Sequence, residues 1–522
     1  MTLRDTLFRS AAIVGALGAV ARFAGAAAGI LLAYRFGAGH DTDAYLLAKV
    51  IPVGVYLILD SVLYNTLVPL FRRAPDPASF FRHSVLFALG TGMALACAAG
   101  LGAAPLIGLL APGADPATQA QAVALLQLAA WAILFAVPAS CLKAWNASRD
   151  RYVAASLDGG IISGLLLATL LLSPRDAGVL PITAALPAAF VALLAVQAWL
   201  ARTALLAPAP RTGRSDFPWR AFRRPVPPLL ALNAAQQAQV WVAVMLAAGF
   251  GAGSVSQMHY SYGIAQIPVG IIDLVLFSTL FPFAAGLAAR DDRARLAQTF
   301  RAATTALILF CVPLALWVTL SRQVIVDALL LRGLFDVDAG RQTAALLLGH
   351  AIALPGWCLE ALGCRMLFAL DRHARYLGIV LFRLAVFLLL SAVLLPVFGL
   401  PGLSLSFAGA FTASGLLAVF VVGRALRPAG IPGRGALRRP GMVLVAAAAA
   451  IIAAHWACGV LLPRLGLEHA VALLAVRGAL AGGVLAGVLL ALYRHRCFLP
   501  EPGRADMPAG LQPPDGRGTM EP

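Results

Sequence analysis

The chain carries one stretch twice, first as Asp60-Ser-Val-Leu-Tyr-Asn-Thr-Leu-Val-Pro69 and again, 213 positions later, as Asp273-Leu-Val-Leu-Phe-Ser-Thr-Leu-Phe-Pro282. Six of the ten residues are identical, and the acid is among them. The shorter stretch Phe36-Gly-Ala-Gly39 recurs at almost the same spacing as Phe250-Gly-Ala-Gly253. Matches of this length at one spacing indicate that the chain consists of two related halves.

The composition assigns both halves to a membrane. Of the 522 residues, 61% are hydrophobic and only 12% are charged, whereas about 25% of the residues of a soluble domain are charged. This excludes a soluble enzyme. Fourteen apolar stretches are near or above the roughly 20 residues that a spanning helix needs. The predicted fold is therefore an all-α polytopic membrane protein with spans at 10–35, 43–71, 83–111, 118–142, 152–173, 179–206, 228–250, 255–287, 301–322, 341–370, 374–397, 400–424, 441–463 and 468–493.

The repeat predicts how these spans are arranged. Six spans separate the two copies, and because six is even, both halves have the same orientation in the membrane. This is the parallel repeat of transporters, in which two six-helix lobes surround a central cavity. The predicted divisions are an N-terminal lobe (1–206), a cytoplasmic linker (207–227), a C-terminal lobe (228–427), a helical hairpin of spans 13 and 14 (428–496) and a disordered cytoplasmic tail (497–522).

The net charge of +17 has a topological explanation. With a cytoplasmic N-terminus, 29 of the 40 Lys and Arg residues fall on the inner side and 6 in outer loops, as the positive-inside rule requires. We therefore predict a multi-pass protein of the bacterial inner membrane with both termini in the cytoplasm. The basic residues are expected to contact anionic membrane lipids, not nucleic acid. The seven Cys form no CxxC pair and the His are scattered, so neither a metal site nor a cofactor is expected.

Polar residues inside the spans are the candidate site. A charge in the bilayer core costs at least about 2.5 to 3.5 kcal/mol, so it should have a partner or face a wet cavity. Structural alternatives exist, because Lys49 could reach a span end and Glu360 could pair with Arg365. The uncharged members suit sugar hydroxyls, although they could equally join helices. The predicted cavity residues are Arg22, Asp43, Lys49, Asp60, Gln236, Gln239, His259, Tyr260, Gln266, Asp273 and Arg383.

Asp60 and Asp273 are the candidates for ion coupling. They occupy equivalent places in the two halves, and we expect them to approach each other across the axis between the lobes. Two facing carboxylates can share a proton or bind a cation, which would couple transport to H+, Na+ or the membrane potential. In the alternative, each acid makes a hydrogen bond that joins helices within its own lobe.

The same residues carry a family resemblance. The chain resembles the MviN/MurJ lipid II flippases of the multidrug/oligosaccharidyl-lipid/polysaccharide exporter superfamily over most of its length. The resemblance implies export of an undecaprenyl-pyrophosphate-linked saccharide by alternating access, with Arg22 facing the pyrophosphate. The matching segments are Arg22-Phe-Ala-Gly25, Phe36-Gly-Ala-Gly39 with Asp43-Ala44, Pro52, Asp60 and Pro69, then Gly253-Ser-Val-Ser-Gln-Met-His-Tyr260, Pro268-Val-Gly270, Pro282 and Arg332-Gly-Leu-Phe335.

The chain also departs from that family. Further cavity arginines of the family are replaced by Ala28, by Val55 and Tyr56, and by Gly263, and Asp273 stands where the family has a small residue. The alternatives are therefore an exopolysaccharide or O-antigen-unit flippase, a cation-coupled drug exporter and, from other classes, a membrane glycosyltransferase or a scaffold. The expected partners are the lipid-linked saccharide and cell-envelope synthesis proteins, and the expected state is a monomer.

Overall fold

A computed structural model describes residues 3–74, 76–206, 222, 224–276, 280–426, 438–464 and 469–494. The predicted tail and most of the predicted linker lie outside these residues. The described part contains helices and no strand, which confirms the predicted all-α membrane fold. Among the residues that the structure describes, thirteen helices are long and apolar enough to cross a membrane. The predicted eighth span, 255–287, has no counterpart among these thirteen; within it the structure describes helices at Ser254–Val275 and Phe281–Ala289.

In its described residues the first half contains nine α-helices. They are α1 (Leu3–Phe36), α2 (His40–Arg73), α3 (Pro77–Leu101), α4 (Ala103–Leu110), α5 (Pro116–Ala129), α6 (Trp131–Ser148), α7 (Tyr152–Ala155), α8 (Asp158–Leu172) and α9 (Leu180–Leu205).

The described part of the remainder of the chain provides a second set of nine α-helices. They are α10 (Val226–Ala248), α11 (Ser254–Val275), α12 (Phe281–Ala289), α13 (Arg293–Leu329), α14 (Val337–Ala369), α15 (His373–Phe398), α16 (Leu400–Ala425), α17 (Arg438–Arg464) and α18 (Ala470–Arg494). The predicted span 301–322 is thus part of a longer helix, α13.

Aspartates mark several helix ends. The carboxylates of Asp76, Asp115 and Asp336 accept hydrogen bonds from backbone N–H groups of α3, α5 and α14, and so satisfy donors that the first turn leaves free. For Asp115, hydrogen bonds from Thr118 hold the pKa of the carboxyl below its usual value. Asp150 and Asp371 adopt positive φ just after α6 and α14, where a left-handed residue ends a helix.

The packing of the helices follows the repeat. In the first half, α2, α3 and α9 surround α6, and α8 lies against α1. In the second half, α11, α13 and α16 surround α14, and α15 lies against α10. Between the halves, α1 contacts α11 and α2 contacts α10. The hairpin helices α17 and α18 pack on each other and on α13. Each half therefore has the same architecture, and the two halves meet through equivalent helices.

Candidate functional site

A cavity of about 1750 Å³ lies between the two halves. Helices α1, α2, α8, α10, α11, α14, α15 and α16 contribute side chains to its wall. At one end the wall includes Arg224, Asp371 and His373, which flank the ends of α10, α14 and α15 that the basic residues predict to be cytoplasmic. At the opposite end of the cavity α2 contacts α11.

Asp43 holds the two halves together at that opposite end. Its carboxylate accepts hydrogen bonds from the backbone N–H groups of Gly253, at 2.7 Å, and Ser256, at 2.8 Å. These groups belong to the first turn of α11, where the helix dipole also favours a negative charge. Asp43 is buried and does not line the cavity. The prediction of a cavity residue is therefore wrong here, because the helix N-terminus of the other half surrounds the carboxylate.

The two Phe-Gly-Ala-Gly repeats meet beside Asp43. Gly37 and Gly253 have φ values of +67° and +89°, which favour glycine. A Cβ on Gly253 would lie 2.7 Å from the carbonyl oxygen of Ala38. The hydroxyl of Tyr260, which also touches the cavity, donates to the carbonyl of Gly37 at 2.9 Å. The repeated glycines thus allow the halves to close tightly at this end.

Three cations line the cavity without an acidic partner among the described residues: Arg22, Lys49 and Arg224. Arg22 extends from α1 across to α11, where its guanidinium contacts Gly270. The Lys49 ammonium lies 5.0 Å from the centre of the Tyr45 ring. Arg224 lies at the open end. The ionic interactions of these three groups are available to a ligand.

Each carboxylate that lines the cavity, by contrast, already has a basic partner in the described part of the chain. Asp273 lies 2.9 Å from Arg365, and Asp371 lies 3.2 Å from His373. The other two carboxylates are those of Asp158, which lies 2.6 Å from Lys143, and Glu360, which pairs with Arg383. The charged groups of the wall that lack a partner of opposite charge among the described residues are therefore Arg22, Lys49 and Arg224.

Arg383 is fixed by neighbours on three helices. Its Nε donates to Oε1 of Gln239 at 2.7 Å, its Nη1 donates to Glu360, and its guanidinium lies 4.7 Å from the centre of the Phe411 ring. Ser414 donates to the second oxygen of Glu360. The suggested alternative pair, Glu360 with Arg365, is wrong, because Arg383 is the partner of Glu360. The structure brings Arg383 and Gln239 together, as a polar brace in the cavity wall.

Asp60 and Asp273 do not pair with each other. Asp60 accepts a hydrogen bond from Lys143 at 2.9 Å, and Asp273 accepts one from Arg365 at 2.9 Å. Each cation belongs to the same half as its acid, and no hydrogen bond joins the two carboxylates in the described residues. The structure thus replaces the expected pair across the axis with two separate ion pairs. Asp273 lines the cavity, whereas Asp60 lies just behind its wall, next to Ser61.

Lys143 is the main residue that the sequence interpretation misses. The predicted span ends at 142, which places Lys143 among the cytoplasmic basic residues. In the structure α6 continues to Ser148, and the Lys143 side chain is 13% exposed. It bridges Asp60 and Asp158, and Tyr56 donates to Asp158 at 3.1 Å. A longer predicted span would have made this lysine a membrane charge that needs a partner.

Uncharged polar and aromatic groups complete the wall. The amide of Gln236 donates to the hydroxyl of Tyr376 at 3.2 Å, and His259 and Gln266 also line the cavity. The rings of Tyr262 and Trp357 stack with their centres 5.3 Å apart. Such groups can bind hydroxyls and the apolar faces of sugar rings.

The positions where the resembling family has further arginines lie in different surroundings. Ala28 and Tyr56 are packed among buried residues, and Val55 packs against a buried cluster. Gly263 lines the cavity. Of these positions, Gly263 is therefore the one at which glycine in place of arginine changes the charge of the cavity wall.

Comparisons with known proteins give one family and one fold. The family model described as lipid II flippase MurJ matches residues 32–473. The chain is similar to a solved structure titled lipid II flippase MurJ in the inward closed conformation, with 15% identity, a TM-score of 0.75, and 91% of this chain and 97% of that chain covered.

Solved transporters of the MATE family are also similar. An outward-facing multidrug resistance transporter of the MOP superfamily shows 12% identity and a TM-score of 0.60, over 82% of this chain and 98% of that chain. The bent form of the Vibrio cholerae transporter VcmN shows 15% identity and a TM-score of 0.53, over 81% and 97%. At these identities the likeness concerns the fold alone.

Proposed function

Since the chain belongs to the MurJ family of lipid II flippases, we propose that its central cavity binds the pyrophosphate and saccharide of lipid II and carries them across the membrane by alternating access. The protein is a lipid flippase, a transporter and not an enzyme. Transport of this kind requires groups that attract the phosphates and a closed end that can open.

The unpaired cations of the cavity wall are the observation that carries the proposal. Arg22, Lys49 and Arg224 have no acidic partner among the described residues, whereas the wall carboxylates Asp273 and Glu360 each pair with an arginine. A pyrophosphate carries several negative charges and supplies the acceptors that these groups lack. The planar guanidinium of Arg22 suits bidentate binding of phosphate oxygens, and the Lys49 ammonium suits a point contact.

The three cations lie at different depths. Arg224 is at the open end, Arg22 is 14 residues from the end of α1 at Phe36, and Lys49 is 9 residues from the start of α2 at His40. At 1.5 Å per residue, Arg22 is roughly 20 Å from the closed end and Lys49 roughly 13 Å. In our proposal the pyrophosphate passes from Arg224 to Arg22 and then to Lys49.

The contacts at the closed end then determine access. The hydrogen bonds of Asp43 to Gly253 and Ser256, and of Tyr260 to Gly37, join the halves in this conformation. We propose that they break when the open end closes around the head group. Their energy is small enough for reversal, since a hydrogen bond to a charged group contributes about 1.5 to 3 kcal/mol.

We also propose ion coupling, at a position that the ion pairs of Asp60 and Asp273 indicate. Asp60, Asp158 and Lys143 together carry one net negative charge, whereas Asp273 and Arg365 are balanced. A proton or Na+ would therefore be bound in the first half, beside Lys143, and not between Asp60 and Asp273. The membrane potential is the alternative driving force.

The cellular setting is inferred from charge. The excess of Lys and Arg in alternate loops supports the bacterial inner membrane with both termini in the cytoplasm. We propose that the protein acts as a monomer next to the cell-envelope enzymes that make its substrate.

A second candidate is the export of another undecaprenyl-pyrophosphate-linked unit, for an exopolysaccharide or O-antigen. The observation in its favour is Gly263, which leaves the cavity wall without a cation where the family has one.

Growth of a strain depleted of its lipid II flippase tests the proposal and separates the two candidates. We expect the wild-type protein to restore growth and to reduce the accumulated lipid II, whereas Arg22→Ala inserts normally and restores neither. The exposed arginine Arg290, outside the cavity, supplies the matched control Arg290→Ala. Failure of the wild type to restore growth, with export of a polysaccharide unit intact, would favour the second candidate.

A further inference from the structure

A second basic site lies outside the central cavity, on the α15 and α16 pair. The arginine groove, of about 560 Å³, has Arg372, Arg375 and Arg424 at one end and Ile379, Leu417 and Phe420 along its wall. From these residues we propose that it binds the anionic headgroup and one acyl chain of a membrane phospholipid. The site is separate from the transport cavity and independent of the function proposed above.

The groove and the cavity use different faces of the same helices. On α15 the cavity is lined by Leu377 and Arg383, and the groove by Arg375 and Ile379. On α16 the cavity is lined by Phe411, which is buried, and the groove by other residues. The groove wall includes Phe420, which is 59% exposed. A lipid in the groove and a substrate in the cavity can therefore be bound together.

The surroundings of the three arginines favour the binding of an anion. Arg372 and Arg375 flank the start of α15, whose first turn has no acidic residue, although the positive end of a helix favours acids there. The nearest acid along the chain, Asp371, lies 3.2 Å from His373 and lines the mouth of the central cavity, with a side chain that is 95% exposed. Arg424, in the last turn of α16, adds a third guanidinium. No acidic partner of the three arginines exists among the described residues, so an external anion can serve as their counterion.

The apolar part of the groove decides in favour of a lipid over a free phosphate. Phe420 and Leu417 precede Arg424 by about one and two turns of α16, and Ile379 follows Arg375 by about one turn of α15. The apolar wall thus extends roughly 6 to 10 Å from the arginines along the helix axes. An amphiphile fits this order, with its phosphate at the arginines and its chain along Leu417 and Phe420. Basic pockets between helices on the cytoplasmic side commonly bind such headgroups.

Native mass spectrometry of the full chain with added phosphatidylglycerol tests the proposal. The variant R372Q/R375Q/R424Q should bind phosphatidylglycerol roughly a hundredfold more weakly, because each basic residue near anionic lipid contributes about a factor of five. The matched control R73Q/R149Q/R290Q removes three exposed arginines from the same predicted side and should keep its affinity within about a factor of two. Equal thermal unfolding temperatures in detergent establish that each variant is folded.

Two further measurements distinguish a phospholipid from a soluble phosphate compound as the ligand of the groove. L417S/F420S keeps the arginines and should also weaken binding of phosphatidylglycerol, whereas soluble glycerophosphate should fail to displace the lipid. Unchanged binding by R372Q/R375Q/R424Q, or an equal loss in the control, would overturn the site. Displacement by glycerophosphate at equal concentration would overturn the lipid as its ligand.

Discussion

Lys143 lies on α6 with its Nζ 2.9 Å from Oδ2 of Asp60 on α2. The second half contains an equivalent pair, Arg365 on α14 and Asp273 on α11, also at 2.9 Å. In both halves the pair joins the helix of the repeated decapeptide to the central helix of the lobe. The repeat therefore preserves an ion pair as well as a sequence, with lysine in one half and arginine in the other.

Replacing the lysine of this pair should destabilise the protein. Lys143→Met leaves Asp60 and Asp158 without their cation inside the membrane, and we expect a loss of about 3 to 5 kcal/mol, the usual cost of breaking a buried pair. Thermal unfolding in detergent measures it. The double variant Lys143→Met with Asp60→Asn should recover part of the loss. An unchanged unfolding temperature in the single variant would show that the pair contributes nothing to stability.

The charge of Arg22 should matter more than its size. Arg22→Ala should lower lipid II transport in proteoliposomes roughly tenfold to a hundredfold, the equivalent of one or two charge-assisted hydrogen bonds. Arg22→Lys keeps the charge and should lose less. Accessibility of labelled lipid II at the outer leaflet is the measurement. If both variants transport as well as the wild type, the pyrophosphate binds elsewhere.

Gly270 should control the position of Arg22 without changing any charge. A Cβ at this position would overlap the Arg22 guanidinium, and because a flexible side chain can move, the fold should survive. Gly270→Ala should therefore reduce transport severalfold at an unchanged unfolding temperature. Gly263→Ala is the control, since a Cβ there meets nothing within 4 Å. Equal transport by the two variants would argue against a precise position for Arg22.

Asp43 should determine which end of the cavity is open. Asp43→Ala removes the acceptor for two backbone N–H groups at the start of α11. The variant should therefore shift the population toward the conformation in which the cavity is open at the Asp43 end. Distances between spin labels at positions 40 and 251, measured by double electron–electron resonance in a cysteine-free background, should lengthen. The control is Asp41→Ala, because Asp41 accepts a hydrogen bond from Gln121 within its own half. A similar increase of the distance in Asp41→Ala would show that the hydrogen bonds of Asp43 are not what keeps this end of the cavity closed.

Several features of the site can be predicted from the pattern of residues. Arg22, Lys49, Gln236, His259, Gln266 and Asp273 all line the cavity, because a polar residue in a membrane span faces the interior of the bundle. The equivalence of Asp60 and Asp273 also follows from the repeat. The partner of each acid does not, because a one-residue error at the end of a span is enough to assign Lys143 to a loop.

The membrane environment, the helical class, the repeat and the candidate cations follow from the amino-acid sequence, since these depend on composition and on spacing along the chain. Tertiary structure alone decided which of those charges are free. Asp43 satisfies a helix end of the other half, Arg383 is held by Glu360 and Gln239, and Arg22 has no acidic partner among the described residues. The reason is physical: the strength of an ion pair falls with the distance between two groups, and that distance is set by how helices far apart in the chain pack together.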